Sequence, residues 1–344
     1  MKKKDIEALI LWYETNKRDL PWRHTKDPYK IWISETMLQQ TRVDTVIPYY
    51  ERFLKEIPDL KALANIREDR LLKLWEGLGY YSRARNLQKT AQILQSQNQN
   101  TLPIDKNVLQ SLPGIGPYTV GAILSIAYGL REPAIDGNVL RVLSRVYEEK
   151  ESILKPKVRA KYDSILQKWM KDFSPSSFTQ SFIELGALIC TKTPQCKECP
   201  LNQACKAYKH QTIDEYPVKK ETKEKRILHK TVFLFEYKKK IGITKRENKG
   251  ILANLYEFPN IENSLNEEEI NKLFQNKGIY AKKIIKLQPV KHVFSHQIWI
   301  LHGYQVLLDN SIPNVTFVEK KELKKEYSLP VAFQKVWQSS VLKD

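Results

Sequence analysis

Apolar residues recur at helical intervals over roughly the first two-thirds of the chain, then give way to β-rich runs. Ile6, Leu9, Ile10 and Tyr13 stand three and four positions apart and predict an amphipathic helix. Leu71, Leu74, Trp75 and Leu78 form a second such stripe, and Val139, Val142, Leu143 and Val146 a third. Pro58, Pro103, Pro133 and Pro156 punctuate these helices. Residues 211–230, QTIDEYPVKKETKEKRILHK, carry charge without sustained periodicity and read as a linker. Beyond them TVFLFEY, IIKLQPV and HQIWILHGYQVLL read as strands, KKKIGITKR as part of a hairpin, and residues 267–277 as a helix. The expected architecture is a mainly α domain over 1–210, the linker over 211–230, and an α+β domain over 231–344.

Length agrees, since 344 residues exceed one ordinary domain. A mean hydropathy of −0.49, with 42% apolar and 28% charged residues, excludes a disordered chain. No apolar run approaches the ~18 residues of a membrane span. The opening MKKK looks like a signal n-region, but Asp5 and Glu7 interrupt it, so no export signal is expected. The net charge of +18 divides into +10 over residues 1–210 and +8 over 211–344. A charge spread this way points to a polyanion, nucleic acid ahead of an acidic membrane, with simple solubility as the alternative.

The four cysteines, Cys190, Cys196, Cys199 and Cys205, lie in one short segment with the spacing C-x5-C-x2-C-x5-C. Disulfides there would tie up only one loop, whereas four thiolates suit tetrahedral zinc or a four-iron cluster. Spacing leaves both open.

Residues 109–124 read LQSLPGIGPYTVGAIL. A short helix should end near Leu112, Pro113–Gly116 should turn, and a second helix should start near Pro117. Gly114 and Gly116 let backbone N–H groups approach a phosphate without reading sequence, though an ordinary helical turn is the plain alternative. Asp136, in AIDGNVLRVLSRV, is the natural N-cap of the helix carrying Val139 and Val142. The helix dipole and free amides favour its ionised form, and Asn138 is placed to orient it. Glu35 sits among Ile31, Trp32, Ile33, Met37 and Leu38, where desolvation would favour the neutral acid. One carboxyl disposed to be neutral and one to be charged is the division of labour for cleaving a glycosidic bond. The plain alternatives are a surface glutamate and a capping aspartate.

Together, RDLPWR (18–23), DPYKIWISETMLQQTRV (27–43), WEGLGYYSRARNL (75–87), LPGIGPYTVGAI (112–123), AIDGNVLRVLSR (134–145), the four-cysteine loop and FSH (294–296) resemble the helix-hairpin-helix DNA glycosylase superfamily, and within it the MutY adenine DNA glycosylases. The resemblance implies a monomer acting on double-stranded DNA with 8-oxoguanine:adenine or guanine:adenine mispairs, in the cytoplasm of a bacterium at its nucleoid. It implies that Glu35 protonates the flipped adenine, that Asp136 stabilises the sugar cation, and that Asn138 and Tyr118 support them. Arg23, Trp22, Gln180 and Glu184 would build the adenine pocket. Gln40, Thr41, Leu78 and Tyr80 would meet the oxidised guanine, with packing as the alternative for Leu78 and Tyr80. In the C-terminal, MutT-like (Nudix-fold) domain, Phe294, Ser295 and His296 would inspect 8-oxoguanine. Residues 231–344 carry no G-x5-E-x7-R-E-x2-E-E box, which argues against pyrophosphatase activity.

The resemblance also implies a [4Fe–4S] cluster on the four cysteines, with zinc as runner-up. Here the chain departs from the family, which places six residues between the first two cysteines where this chain has five. Endonuclease III-like relatives carry a Schiff-base lysine at position 118, and Tyr118 has no amine, so a monofunctional enzyme is expected. Two readings compete with it: a bifunctional endonuclease III-like lyase, and a non-enzymatic, metal-dependent DNA-binding protein.

Overall fold

The computed structural model describes residues 1–218 and 224–343. The chain forms two compact units, one of residues 1–65 with 86–221 and one of 66–85 with 222–344. The first is helical. It contains α1 (Lys3–Asn16), α2 (Pro28–Leu38), α3 (Val43–Glu56) and α4 (Leu60–Asn65). After α5 (Glu68–Leu74) of the second unit, α6 (Ser82–Ser96) leads the chain back. There follow α7 (Lys106–Ser111), α8 (Pro117–Ala122), α9 (Gly137–Tyr147), α10 (Pro156–Met170), α11 (Pro175–Leu188) and α12 (Lys206–Lys209).

The expected stripes explain the first unit's core. Ile6 and Leu9 of α1, Val139, Val142, Leu143 and Val146 of α9, and Phe178, Phe182 and Leu185 of α11 form one buried cluster. Gly186 permits the close contact of α9 with α11, since a Cβ there would lie 2.6 Å from the Asn138 Cβ. Asp105 caps α7 through the Val108 N–H, and Pro117 occupies the first turn of α8, as the hairpin reading required.

The second unit is α+β. It contains β1 (Arg226–Tyr237), β2 (Lys240–Lys245), β3 (Tyr256–Glu257), β4 (Asn260–Ile261), α13 (Glu267–Asn276), β5 (Ala281–Lys286), β6 (Val290–Val293), β7 (Gln297–Leu308), β8 (Thr316–Val318), α14 (Lys320–Glu326) and α15 (Val331–Gln338). The main sheet path runs β3-β2-β1-β7-β5. The β1–β7 pair is parallel from Arg226↔Gln297 to Glu236↔Leu307, and the other pairs are antiparallel. Strand alternation divides β1: Val232 and Leu234 join Phe333 and Trp337 of α15 in one cluster, while Phe233 and Phe235 join Ile270 and Phe274 of α13 in another.

Three expectations are corrected. First, the division is not contiguous at 210. Residues 66–85 belong with the second unit, where Lys73 donates to the Tyr327 carbonyl and Glu76 accepts from the Leu329 N–H. Second, the linker is shorter than 211–230. Tyr216 is buried and Val218 packs against the first unit's core, whereas β1 starts at Arg226 because its alternating residues have sheet faces to fill; residues 219–223 lie outside the described residues. Third, the stripe from Leu71 to Leu78 is not one helix. It stops at Leu74 with Trp75 as C-cap, and Leu78 lies in the following turn.

Candidate active site

The two carboxyls singled out in the sequence line one cavity of about 720 Å³ in the first unit. Glu35 reaches it from the buried helix α2 and is only 7% exposed. Burial pushes its carboxyl up to about 7, against the Tyr118 hydroxyl, which donates to Oε2 and lowers it; the charge of Asp136 raises it further. Tyr118 comes from the first turn of α8, so the Pro-Gly hairpin positions a proton donor on the acid. Gly114 has φ +77° and a Cβ there would lie 2.7 Å from the Asn86 Cβ, two reasons for a glycine at that turn. Gly114 and Gly116 both line the cavity.

Asp136 caps α9, its Oδ1 accepting from the Val139 N–H at 2.8 Å and its Oδ2 from Asn138 Nδ2 at 2.7 Å. The direction expected from the cap alone is reversed, because burial pushes this carboxyl above its ordinary value while the amides, Asn138 and the charge of Arg141 oppose the rise. Arg141 donates to Asn138 Oδ1 and to the carbonyls of Gly186 and Cys190, each at 2.7 Å. Asn138 therefore bridges the aspartate to a fixed guanidinium.

Trp22, Arg23, Gln180 and Glu184 also line the cavity. Trp22 packs edge-on against Tyr50 at 5.4 Å. Glu184 is fully buried and forked by two arginines: Arg18 Nη2 at 2.8 Å and Arg23 Nη2 at 2.7 Å, both on Oε2, with Oε1 accepting from Arg18 Nε and Arg23 Nη1 at 3.0 Å. Burial alone would raise Glu184, but these bonds win and hold it at about 2. Gln180 donates to the Ser176 hydroxyl at 3.0 Å. Gln40 and Thr41 lie on the same cavity wall, and Gln40 has φ +60°.

The remaining candidates lie in the second unit around a cavity of about 450 Å³, lined by Leu78, Tyr80, Phe294, Ser295 and His296. The Tyr80 hydroxyl and Ser295 Oγ are hydrogen-bonded at 2.7 Å. Tyr80 is 48% exposed and has φ +47°, a strained backbone for a bulky residue, whereas Leu78 is buried. Phe294 packs edge-on against His292 and Trp299 at 4.6 and 4.7 Å.

All four cysteines line one small pocket together with Val142, Val146, Leu185 and Leu201. Burial raises the thiols of Cys196 and Cys205 and pushes Cys199 up to about 12. Arg145 donates to Cys190 Sγ at 3.4 Å and to the Thr191 carbonyl at 2.7 Å. A pocket lined by four thiols with an arginine on one sulfur fits an anionic, thiolate-ligated group. Among the described residues no three His, Cys, Asp or Glu side chains are arranged to hold a single metal ion.

Residues 33–168 match the family model "HhH-GPD superfamily base excision DNA repair protein", and residues 231–339 match a NUDIX domain. A curated adenine DNA glycosylase of Buchnera aphidicola subsp. Schizaphis graminum is 39% identical over 309 residues, covering 89% of this chain and 87% of that one. The adenine DNA glycosylase of Mus musculus is 31% identical over 362 residues, covering 88% and 70%. The chain belongs to the adenine DNA glycosylase family. Among solved structures, a thermostable thymine-DNA glycosylase superposes with a TM-score of 0.56 at 23% identity, covering 60% of this chain and 97% of that chain, and shares the helical fold.

For a member of the adenine DNA glycosylase family, the sequence reading missed three arginines at or beside the first cavity. Arg18 lies in the RDLPWR segment, where nothing local signals its distant partner Glu184 on α11. Arg141 lies one helical turn beyond Asn138, a spacing that puts both on one face of α9. Arg159 lines the cavity from α10 and had no local signal, because the fold alone brings it there.

Proposed function

We propose that this protein excises adenine mispaired with 8-oxoguanine or guanine in double-stranded DNA, hydrolysing the N-glycosidic bond and leaving an abasic site. The observation that carries the reading is Glu35, a buried carboxyl with a pKa of about 7, sharing one cavity with the capped Asp136. The base must leave the duplex to enter such a cavity. Glu35 in its neutral form delivers a proton to adenine N7, making the base a better leaving group, while the Tyr118 bond fixes the direction of delivery. Asp136, oriented by Val139 and Asn138, stabilises the cationic sugar until water adds. The Glu184 fork holds Arg18 and Arg23 in the wall around the base. Tyr118 offers no amine for a Schiff base, which supports a monofunctional reaction.

In this reading Gly114 and Gly116 hold a backbone phosphate, Gln40, Thr41, Leu78 and Tyr80 meet the opposite base, and Phe294, Ser295 and His296 inspect it. The positive φ of both Gln40 and Tyr80 supports a base-contacting role, since strained backbone collects at binding sites. The four cysteines would hold a [4Fe–4S] cluster that orders the basic loop carrying Lys192, Lys197 and Lys206. The four thiols in one pocket, with Arg145 donating to the Cys190 sulfur, support an anionic thiolate-ligated group there.

Incubation with a duplex bearing adenine opposite 8-oxoguanine tests the reading. Strand breaks appearing only after alkali are expected; breaks without alkali would favour the lyase, and no base release would leave a DNA-binding protein. Among the described residues no helix is long and apolar enough to cross a membrane.

A further inference from the structure

The first cavity holds a cation that the chemistry above does not use. Arg159, in the first turn of α10, lines the cavity and donates through Nη2 to the Ile135 carbonyl at 2.6 Å. Ile135 is buried and immediately precedes Asp136. The bond therefore fixes the guanidinium next to the residue that would face the sugar. The neighbouring charges are otherwise committed. Arg18 and Arg23 both grip Glu184, and Asp136 accepts from Val139 and Asn138. Asp163, one turn along α10, accepts from Gln167 at 3.1 Å and feels the charge of Arg159, with no hydrogen bond between the two among the described residues.

A guanidinium has five N–H donors, and a single carbonyl bond leaves a fork for another acceptor. The ligand that arrives with an extruded nucleotide is defined by connectivity: a sugar at Asp136 brings a phosphodiester on each side. A fork on the cavity wall, anchored one residue from Asp136, matches the geometry of a phosphate in a way a lysine does not. We infer that Arg159 binds a backbone phosphodiester flanking the extruded nucleotide, with the Ile135 carbonyl holding its guanidinium in register with Asp136.

The inference rests on the glycosylase reading, and the experiment separates the two. Duplex binding is measured as a function of salt for the full chain carrying Glu35→Gln, alone and combined with Arg159→Gln or Arg159→Lys. Base release by the unmodified chain is scored in parallel, and its absence counts against the glycosylase reading alone. Arg159→Gln removes both the charge and the fork. Its binding should be weaker, and its log–log salt slope shallower by about one. Between about 50 and about 200 mM salt it should therefore lose ~3.5-fold less affinity than its parent. Arg159→Lys, a point charge without the fork, should bind more weakly than the parent yet keep its slope. An unchanged slope in Arg159→Gln overturns the phosphate contact and leaves Arg159 an anchor of α10. If Arg159→Gln does not fold, the lysine variant decides: weaker binding with the fork gone is expected, and affinity and slope both equal to the parent's overturn the inference.

Discussion

Glu35 holds its proton up to about pH 7 because of its surroundings, and that has a cost for folding. Its folded pKa of about 7 lies above the ordinary 4.5, so between those values the folded state holds a proton that the unfolded state has lost. The contribution of Glu35 to stability therefore falls as pH rises from about 4.5 through about 7. Glu35→Gln should stabilise the protein at about pH 8, by up to about 3 kcal/mol in denaturant titrations, and do little at acid pH. The same substitution should reduce adenine release by about 10²- to 10⁴-fold while duplex binding persists; near-normal turnover would remove Glu35 from the acid role. Tyr118 acts in the opposite sense, since its hydroxyl favours the ionised acid. In Tyr118→Phe the Glu35 pKa rises further, and the decline of single-turnover rate with pH should move upward from its wild-type position. An unshifted decline would mean that the bond does not tune the acid. Both carboxyls were legible in the sequence, Glu35 from its apolar neighbours and Asp136 from its capping position. The upward shift of Asp136 was not, because burial at the base of a cavity has no local signature.

Helix boundaries carry much of the site's geometry. Glu184 on α11 is tied to Arg18 just beyond α1 and to Arg23 in the short helical turn Pro21–Arg23, so one carboxylate joins segments far apart in the chain. Glu184→Gln strips the negative charge from two guanidinium groups and should cost about 3 kcal/mol, measured as a lowered denaturation midpoint with an unchanged m-value. A loss below about 0.5 kcal/mol would mark the fork as merely a surface pair. The helical periodicity of α1 and α9 and the proline at the start of α8 made those elements readable. The end of α5 was not readable, since the apolar spacing of Leu71, Leu74, Trp75 and Leu78 continues past the point where the helix stops. The β1–β2 hairpin was legible in its strands but not in its turn. Lys238 and Lys239 both take positive φ, a turn normally signalled by Asn-Gly.

For the whole molecule, the second unit supplies discrimination rather than chemistry in the proposed function. Ser295→Ala removes a hydroxyl that now bonds Tyr80. It should narrow the preference for adenine opposite 8-oxoguanine over adenine opposite guanine, read as the ratio of the two rates at limiting DNA; an unchanged ratio would detach Ser295 from recognition. The purified protein should be brown and absorb near roughly 400 nm if the cysteines carry iron and sulfide. Bleaching by an iron chelator should lower its melting temperature, and a colourless, zinc-containing preparation would reject the cluster. The two fold classes could be read from the change in texture near residue 231, but the true partition could not. Residues 66–85 are an interior loan from the helical region of the sequence, held by pairings with residues more than two hundred positions away. One practical outcome concerns surgery on the gene. Cutting the chain after residue 221 would leave that stretch behind without Tyr327 and Leu329 to bind Lys73 and Glu76, and with α5 stripped of α14. The shortened product would carry a raw, sticky flank, and moving the second unit onto another scaffold would require two grafts.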